Sequence, residues 1–235
     1  MAGSAYITTD LLKQGGLSDG QITLLRILPL AVFLSPLIWG SRKKFSAKDY
    51  KLFFVLGTIG MVLPTYLSIL GISDSTTINA GLLVGTEPLW IALMAFAFLP
   101  EKATSHKIYG ILMGLLGMAF IIANGIPFIS TNIDLKYGDI YFIGAAVTWA
   151  SYSIFIKFLD NKKEPMAVLA WVALIASCFA VPVFYNDLRA FKDVDWTPKL
   201  IALSFHAMFS VSLLAYYLWN IILRRVESSK FAPFI

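Results

Sequence analysis

The sequence contains seven stretches of about twenty mainly apolar residues, at 21–40, 51–72, 78–99, 106–125, 139–158, 166–185 and 200–223. No other feature constrains the fold as strongly. A helix needs about 20 such residues to cross the hydrocarbon layer of a bilayer. The apolar residues run in blocks instead of recurring at helical or strand spacing, which predicts segments buried on all sides. Composition points the same way, with 58% of the 235 residues hydrophobic and 14% charged. A soluble domain of this size has too little interior to hide so much apolar surface. The expected fold class is an all-α polytopic membrane protein with about seven full spans.

The basic residues are unevenly divided among the connections. One alternate set of loops carries thirteen: Arg42, Lys43, Lys44, Lys48, Lys51, Lys102, Lys107, Lys157, Lys162, Lys163, Arg224, Arg225 and Lys230. The opposite set carries five: Lys13, Lys136, Arg189, Lys192 and Lys199. Positive charge is retained on the cytoplasmic side of a span, so the first set is expected to face the cytoplasm. The net charge of +5 is thereby accounted for by topology, and no nucleic-acid partner is expected. The start, MAGSAYITTDLLKQGG, lacks the basic and apolar regions of a signal peptide and reads as the tail of an earlier span. Cys178 is the single cysteine; within WVALIASCFAV it reads as an inert buried thiol.

Two connections resemble each other: DSTTINA (74–80) and ESSKFA (227–232). Each is an acid, hydroxyl residues, an apolar residue and alanine, and the charge count places them on opposite sides of the membrane. Such a pair is a mark of an inverted repeat with an odd number of spans per unit. The stretch NAGLLVGTEPLWIALMAFAFLPEKATSHKIYGILMGLLGMAFI (79–121) then resembles the signature of EamA-type drug/metabolite transporters. That signature is a hydroxyl–x–Pro in one helix, a glutamate at its cytoplasmic end and a glycine-spaced helix after it. Thr86 and Pro88, Glu101, and Gly110 with Gly117 carry these features. In the second half, GDIYFIGAAVTWASYSIF (138–155) resembles the opening helix of the family's second repeat. LLAYYLWNIILRRVESSKFAPF (213–234) resembles its third helix and the start of its fourth.

The resemblance implies an inverted repeat of five-helix units, ten helices when complete, around a central substrate path. It divides the chain at 1–125 and 138–235. Most of helix 1, most of helix 9 and all of helix 10 are then absent, and a fragment of a longer chain is the expectation. The implied location is the cytoplasmic (inner) membrane, multi-pass. The implied partners are a small-molecule substrate and the lipid bilayer. Gly110, Gly114 and Gly117 suit close helix approach, within the repeat or between subunits of a homodimer.

A transport path needs polar groups at matched depth on several spans. At 1.5 Å per residue, Pro64, Glu87, Trp149 and Ser210 all fall roughly 12–15 Å from the outer boundary, with Thr65 and Tyr66 just above Pro64. Glu87 lies inside an apolar span, where an ionisable group is rare and usually faces a cavity. Removal from water disfavours the charged form of a carboxyl, which suits a group that exchanges protons or recognises cations. The family pattern does not require an acid there, and a hydrogen-bonded structural carboxyl is the alternative. The candidate path residues are Tyr66, Thr86, Glu87, Pro88, Trp90, Trp149, Tyr152, Ser210 and Tyr217. Pro64 and Pro88 also free backbone carbonyls.

The gating or pairing candidates are Arg26, Glu101 and His206. Arg26 also has snorkelling as a simple account, although the family often carries an arginine here. His206, Ser210 and Tyr217 share one face of an ideal helix. Trp219 and Asn220 read as interface anchors.

No metal-ligand cluster, phosphate loop or nucleophile–base pair is evident, so neither a cofactor nor an enzyme activity is expected. The span count alone would suit a seven-helix receptor, but 200–223 lacks the lysine a retinal protein needs. A non-transporting scaffold is the remaining alternative. The expected function is a secondary transporter of small metabolites or drug-like compounds, an exporter, proton-coupled through Glu87.

Overall fold

Helix starts are set by local chemistry. In the computed structural model, which describes residues 2–41, 44–75, 77–100, 104–122, 136–160 and 163–225, Ser46 caps the helix that follows it. Its amide and hydroxyl both donate to Asp49 Oδ2, at 2.6 and 2.8 Å. Thr197 accepts a 3.2 Å bond from the Leu200 amide. Pro165 and Pro198 open their helices, where a missing N–H leaves no partner unsatisfied. Gly16, with φ +90°, makes the tight turn that brings the second helix back against the first.

In chain order the helices are α1 (Ala2–Gln14), α2 (Asp19–Ser41), α3 (Ala47–Asp74), α4 (Thr77–Val84), α5 (Glu87–Phe98), α6 (Ser105–Ile122), α7 (Tyr137–Phe158), α8 (Pro165–Val183), α9 (Tyr185–Arg189) and α10 (Pro198–Leu223). Five of them, α2, α3, α7, α8 and α10, are long and apolar enough to cross a membrane. Two of the seven expected spans are not among the five. The expected span 78–99 is interrupted at Gly85 and Thr86, which separate α4 from α5. The expected span 106–125 is helical over Ser105–Ile122, and its residues 123–125 lie outside the described residues.

Two of the long helices are not α-helical throughout. A π turn occupies Thr58–Val62 of α3 and a longer one Ala207–Leu214 of α10. The first has a local cause. Pro64 has no N–H to return to the Gly60 carbonyl, so the ladder must widen just before it.

Small residues set how the helices meet. α8 buries Ala167, Ala170, Ala173, Ala176 and Ala180, a ridge that lets α2 lie along it and α3 cross it closely. A Cβ on Gly57 would come within 3.0 Å of the Val172 carbonyl and the Ala176 amide. Against α7, a Cβ on Gly60 would meet Tyr152 at 2.7 Å, and one on Gly71 would meet Phe142 at 2.6 Å.

The glycines singled out from the sequence behave differently. Among the described residues, a Cβ added at Gly110 or Gly117 would meet nothing within 4 Å, and one at Gly114 only Leu89, at 3.5 Å. Val32, Phe33, Trp39, Tyr109 and Met113 stand exposed on the outside of the bundle, the arrangement a lipid-facing surface requires. Cys178 is exposed as well, against the expectation of a buried thiol. An apolar sequence neighbourhood cannot separate a lipid-facing position from a core one.

Candidate functional site

The interruption of the expected third span builds the centre of the site. Gly85 and Thr86 form a turn, with Thr86 N bonded to the Leu83 carbonyl at 3.1 Å. The Thr86 hydroxyl, itself buried, donates to the same carbonyl at 2.5 Å and accepts from Trp90 Nε1 at 3.2 Å. Pro88 follows in the first turn of α5. It has no N–H to offer the carbonyl of Val84, so the chain stops being one continuous helix here. Glu87 thereby becomes the first residue of α5. At that position the unpaired amides and the helix dipole favour a negative charge.

Glu87 faces a cavity of about 370 Å³. Tyr6 from α1, Arg26 from α2, Pro64, Thr65 and Ser68 from α3, Val84 from α4 and Trp149 from α7 share its wall. Tyr216 and Trp219 from α10 complete its aromatic lining. Arg26 Nε donates to Ser212 Oγ at 3.4 Å, within the π turn of α10. Among the described residues no ion pair joins Arg26 to Glu87. Tyr6 and Tyr216 each lie close enough to feel both charges, and Tyr216 is hydrogen-bonded to Thr65.

The aromatic wall is a connected assembly. Trp149 stacks on Tyr152 (5.5 Å, 10°) and on Trp219 (6.0 Å, 30°), and Tyr216 meets Trp149 edge-on at 5.1 Å. Behind it, Tyr152 donates to Asn220 Oδ1 at 2.9 Å and Trp219 Nε1 to Ser153 Oγ at 3.0 Å. Polar contacts close the bundle at both ends. At the end away from the basic loops, Lys13 pairs with Asp19 at 2.6 Å and also reaches Ser73, while Ser18 donates to Asp187 at 2.5 Å. At the basic end Lys163 pairs with Asp49 and lies over the Phe45 ring.

Of the residues selected from sequence, Glu87, Trp149 and Arg26 line the cavity together. Thr86 and Pro88 shape the break that presents Glu87, and Trp90 is bonded to Thr86. Tyr152 is fully buried behind Trp149. Tyr66 packs on Phe184 at 4.9 Å, and Tyr217 packs against the main core. Ser210 and His206 are half-buried and outside the cavity wall. Glu101 lies outside the described residues.

Trp219 and Asn220, read as interface anchors, are buried, and Trp219 belongs to the wall. Tyr6, Ser68 and Tyr216 join it without having been selected. Tyr216 was missed for a physical reason. His206, Ser210 and Tyr217 share a face only if α10 advances about 100° per residue, and the intervening π turn at Ala207–Leu214 breaks that register. Tyr6 was missed because residues 1–12 read only as the remnant of a span.

Known proteins resemble the chain along most of its length. The EamA-like transporter family matches residues 1–123 and 136–235. The uncharacterized transporter YyaM of Bacillus subtilis is 26% identical over 213 residues, covering 88% of this chain and 68% of that protein. The uncharacterized transporter YetK of the same organism is 27% identical over 203 residues, covering 83% and 60%. A riboflavin transporter of Brucella anthropi is 29% identical over 90 residues, covering 38% and 30%. The chain therefore spans about two thirds of the length of YyaM and YetK. With apolar spans around an aromatic-walled cavity that holds Arg26 and Glu87, and a family match over both halves, this integral multi-pass membrane protein belongs to the EamA-like transporter family.

Proposed function

We propose that the protein is a secondary transporter that exports small metabolites across the cytoplasmic membrane, in exchange for a proton carried by Glu87. The observation that carries this reading is the cavity itself. Helices of the first half bring Arg26 and Glu87 to one 370 Å³ space inside an apolar bundle, and Trp149, Tyr216 and Trp219 of the second half complete its wall. Holding charged groups there is expensive, and such groups ordinarily mark a substrate or ion pathway. The groups that face Glu87 are Tyr6, Arg26 and Tyr216. Of the four, Glu87 is the group whose ordinary titration range lies nearest neutral pH.

The two π turns support an inverted repeat at 1–125 and 138–235. α3 and α10 hold equivalent places in the two halves by the family order, and each carries its π turn about ten residues from its start. By the distribution of basic residues the two helices run in opposite directions through the membrane. The aromatic wall suits a ligand with a flat ring, chemistry that the riboflavin transporter among the relatives also handles.

The test is uptake into proteoliposomes by the full-length protein, with a metabolite panel and an imposed pH gradient. Glu87→Gln is expected to abolish the response to the gradient while leaving the protein folded. An unchanged flux and pH profile in that variant would remove the coupling role. Absence of flux for every compound would favour a non-transporting scaffold.

A further inference from the structure

The charge arrangement of the cavity says more about its ligand than transport alone requires. Arg26 and Glu87 face one small space and are not paired with each other among the described residues. Tyr6 and Tyr216, which feel both charges, line the same wall. Arg26 has one long side-chain bond, to Ser212 at 3.4 Å, which leaves most of its five donors for another partner.

From this geometry we infer that the cavity binds a bipolar ligand, with an anionic group on Arg26, a cationic group on Glu87 and a ring or apolar body between them. The inference rests on the transport reading of this cavity and narrows its substrate class. A buried ion is strongly disfavoured unless it is paired. A purely cationic ligand would satisfy Glu87 but crowd a second positive charge toward Arg26. A purely anionic ligand would do the reverse at Glu87. A neutral one would leave both ions unpaired once water is displaced. With Glu87 deprotonated, a bipolar molecule alone answers both charges and adds no net charge to the site.

Discrimination thus comes as much from what each charge repels as from what it attracts. The body of the ligand meets Trp149, Trp219 and Tyr216, whose ring faces also favour the cationic end. The Glu87 carboxylate is then the point at which a proton and the ligand's cationic group exclude one another.

The test is calorimetric titration of the purified full-length protein with four probes sharing one ring: 4-(aminomethyl)benzoate, benzylamine, benzoate and benzyl alcohol. The bipolar probe is expected to bind at least about tenfold tighter than any other, the loss of one charge-assisted contact. Arg26→Gln should weaken the bipolar probe to the level of benzylamine without weakening benzylamine itself. Glu87→Gln should weaken it to the level of benzoate. If Arg26→Gln fails to fold, Arg26→Lys keeps the charge and should keep the preference for the bipolar probe.

Equal binding of benzylamine or benzoate, an unchanged preference in folded Arg26→Gln, or no binding of any probe would each overturn the inference. Selective bipolar binding without flux in proteoliposomes would support the site and remove the transport reading. Flux of another metabolite without charge selectivity would do the opposite.

Discussion

Replacing Gly60 with alanine tests whether the meeting of α3 and α7 is as tight as the structure shows. The added Cβ would stand 2.7 Å from Tyr152 Cδ2, 2.8 Å from its Cβ and 3.2 Å from its Cα. Carbon atoms pack at about 3.5–4.0 Å, so Tyr152 and the backbone that carries it must retreat by close to 1 Å. Overpacking of this kind costs about 1–3 kcal/mol.

Tyr152 is fully buried and donates to Asn220 at 2.9 Å; losing that bond adds about 1 kcal/mol. Alanine's better helix propensity returns about 0.5–1 kcal/mol. The net expectation is a loss of about 1–3 kcal/mol. Gly110→Ala is the matched control, since no described residue lies within 4 Å of its added Cβ. Only the propensity gain of about 0.5–1 kcal/mol remains there.

Thermal unfolding of the full-length protein in detergent, followed by tryptophan fluorescence, should separate the two variants by at least about 3 °C, at about 2–4 °C per kcal/mol for chains of this size. Equal melting temperatures for Gly60→Ala and the parent, or a Gly110→Ala as destabilised as Gly60→Ala, would refute the packing argument.

Three other expectations are open to direct measurement. Pro88→Ala restores an N–H for the Val84 carbonyl and should raise the melting temperature while slowing proteoliposome flux; faster flux would count against the break as a functional device. Trp171→Phe removes the 3.1 Å bond from Trp171 Nε1 to Ser41 Oγ and should destabilise by about 0.5–1.5 kcal/mol in the same melt; an unchanged melt would deny that bond a stabilising role. Asp49→Asn should shift the melting temperature less in high salt than in low salt, because the Lys163 pair it breaks is partly exposed and open to screening. A salt-independent shift would point to the Ser46 cap instead.

Much of the architecture could be read from the chain because the bilayer asks a simple question of each segment. Length and apolarity place α2, α3, α7, α8 and α10 within a few residues of their observed ends. The same rule does not resolve 78–99, where one apolar run holds the two helices Thr77–Val84 and Glu87–Phe98. Pro88 was visible there, but the sequence does not show that Gly85 and Thr86 would form a turn instead of a kink.

Site reading divided in the same way. Glu87 and Arg26 stood out because ions are rare in such surroundings, and Trp149 because depth can be counted along a regular helix. Tyr216 did not, since no residue in AMFSVSLL (207–214) announces a π turn. Close packing was assigned to Gly110 and Gly117 from spacing alone. Gly57, Gly60 and Gly71, which meet a neighbouring helix within the chain, have no such pattern, because contact depends on which helix arrives opposite them.

The alanine ridge of α8 carries a consequence for how this sequence can vary. In a saturation mutagenesis experiment, tolerance should run opposite to the usual association of large apolar residues with constraint. Ala170, Ala173 and Ala176, fully buried, have no room to grow and should accept glycine or serine at most. Tyr109, Met113 and Trp39, large and exposed, should accept almost any apolar replacement. The heritable information that fixes the bundle would then reside mainly in its smallest side chains.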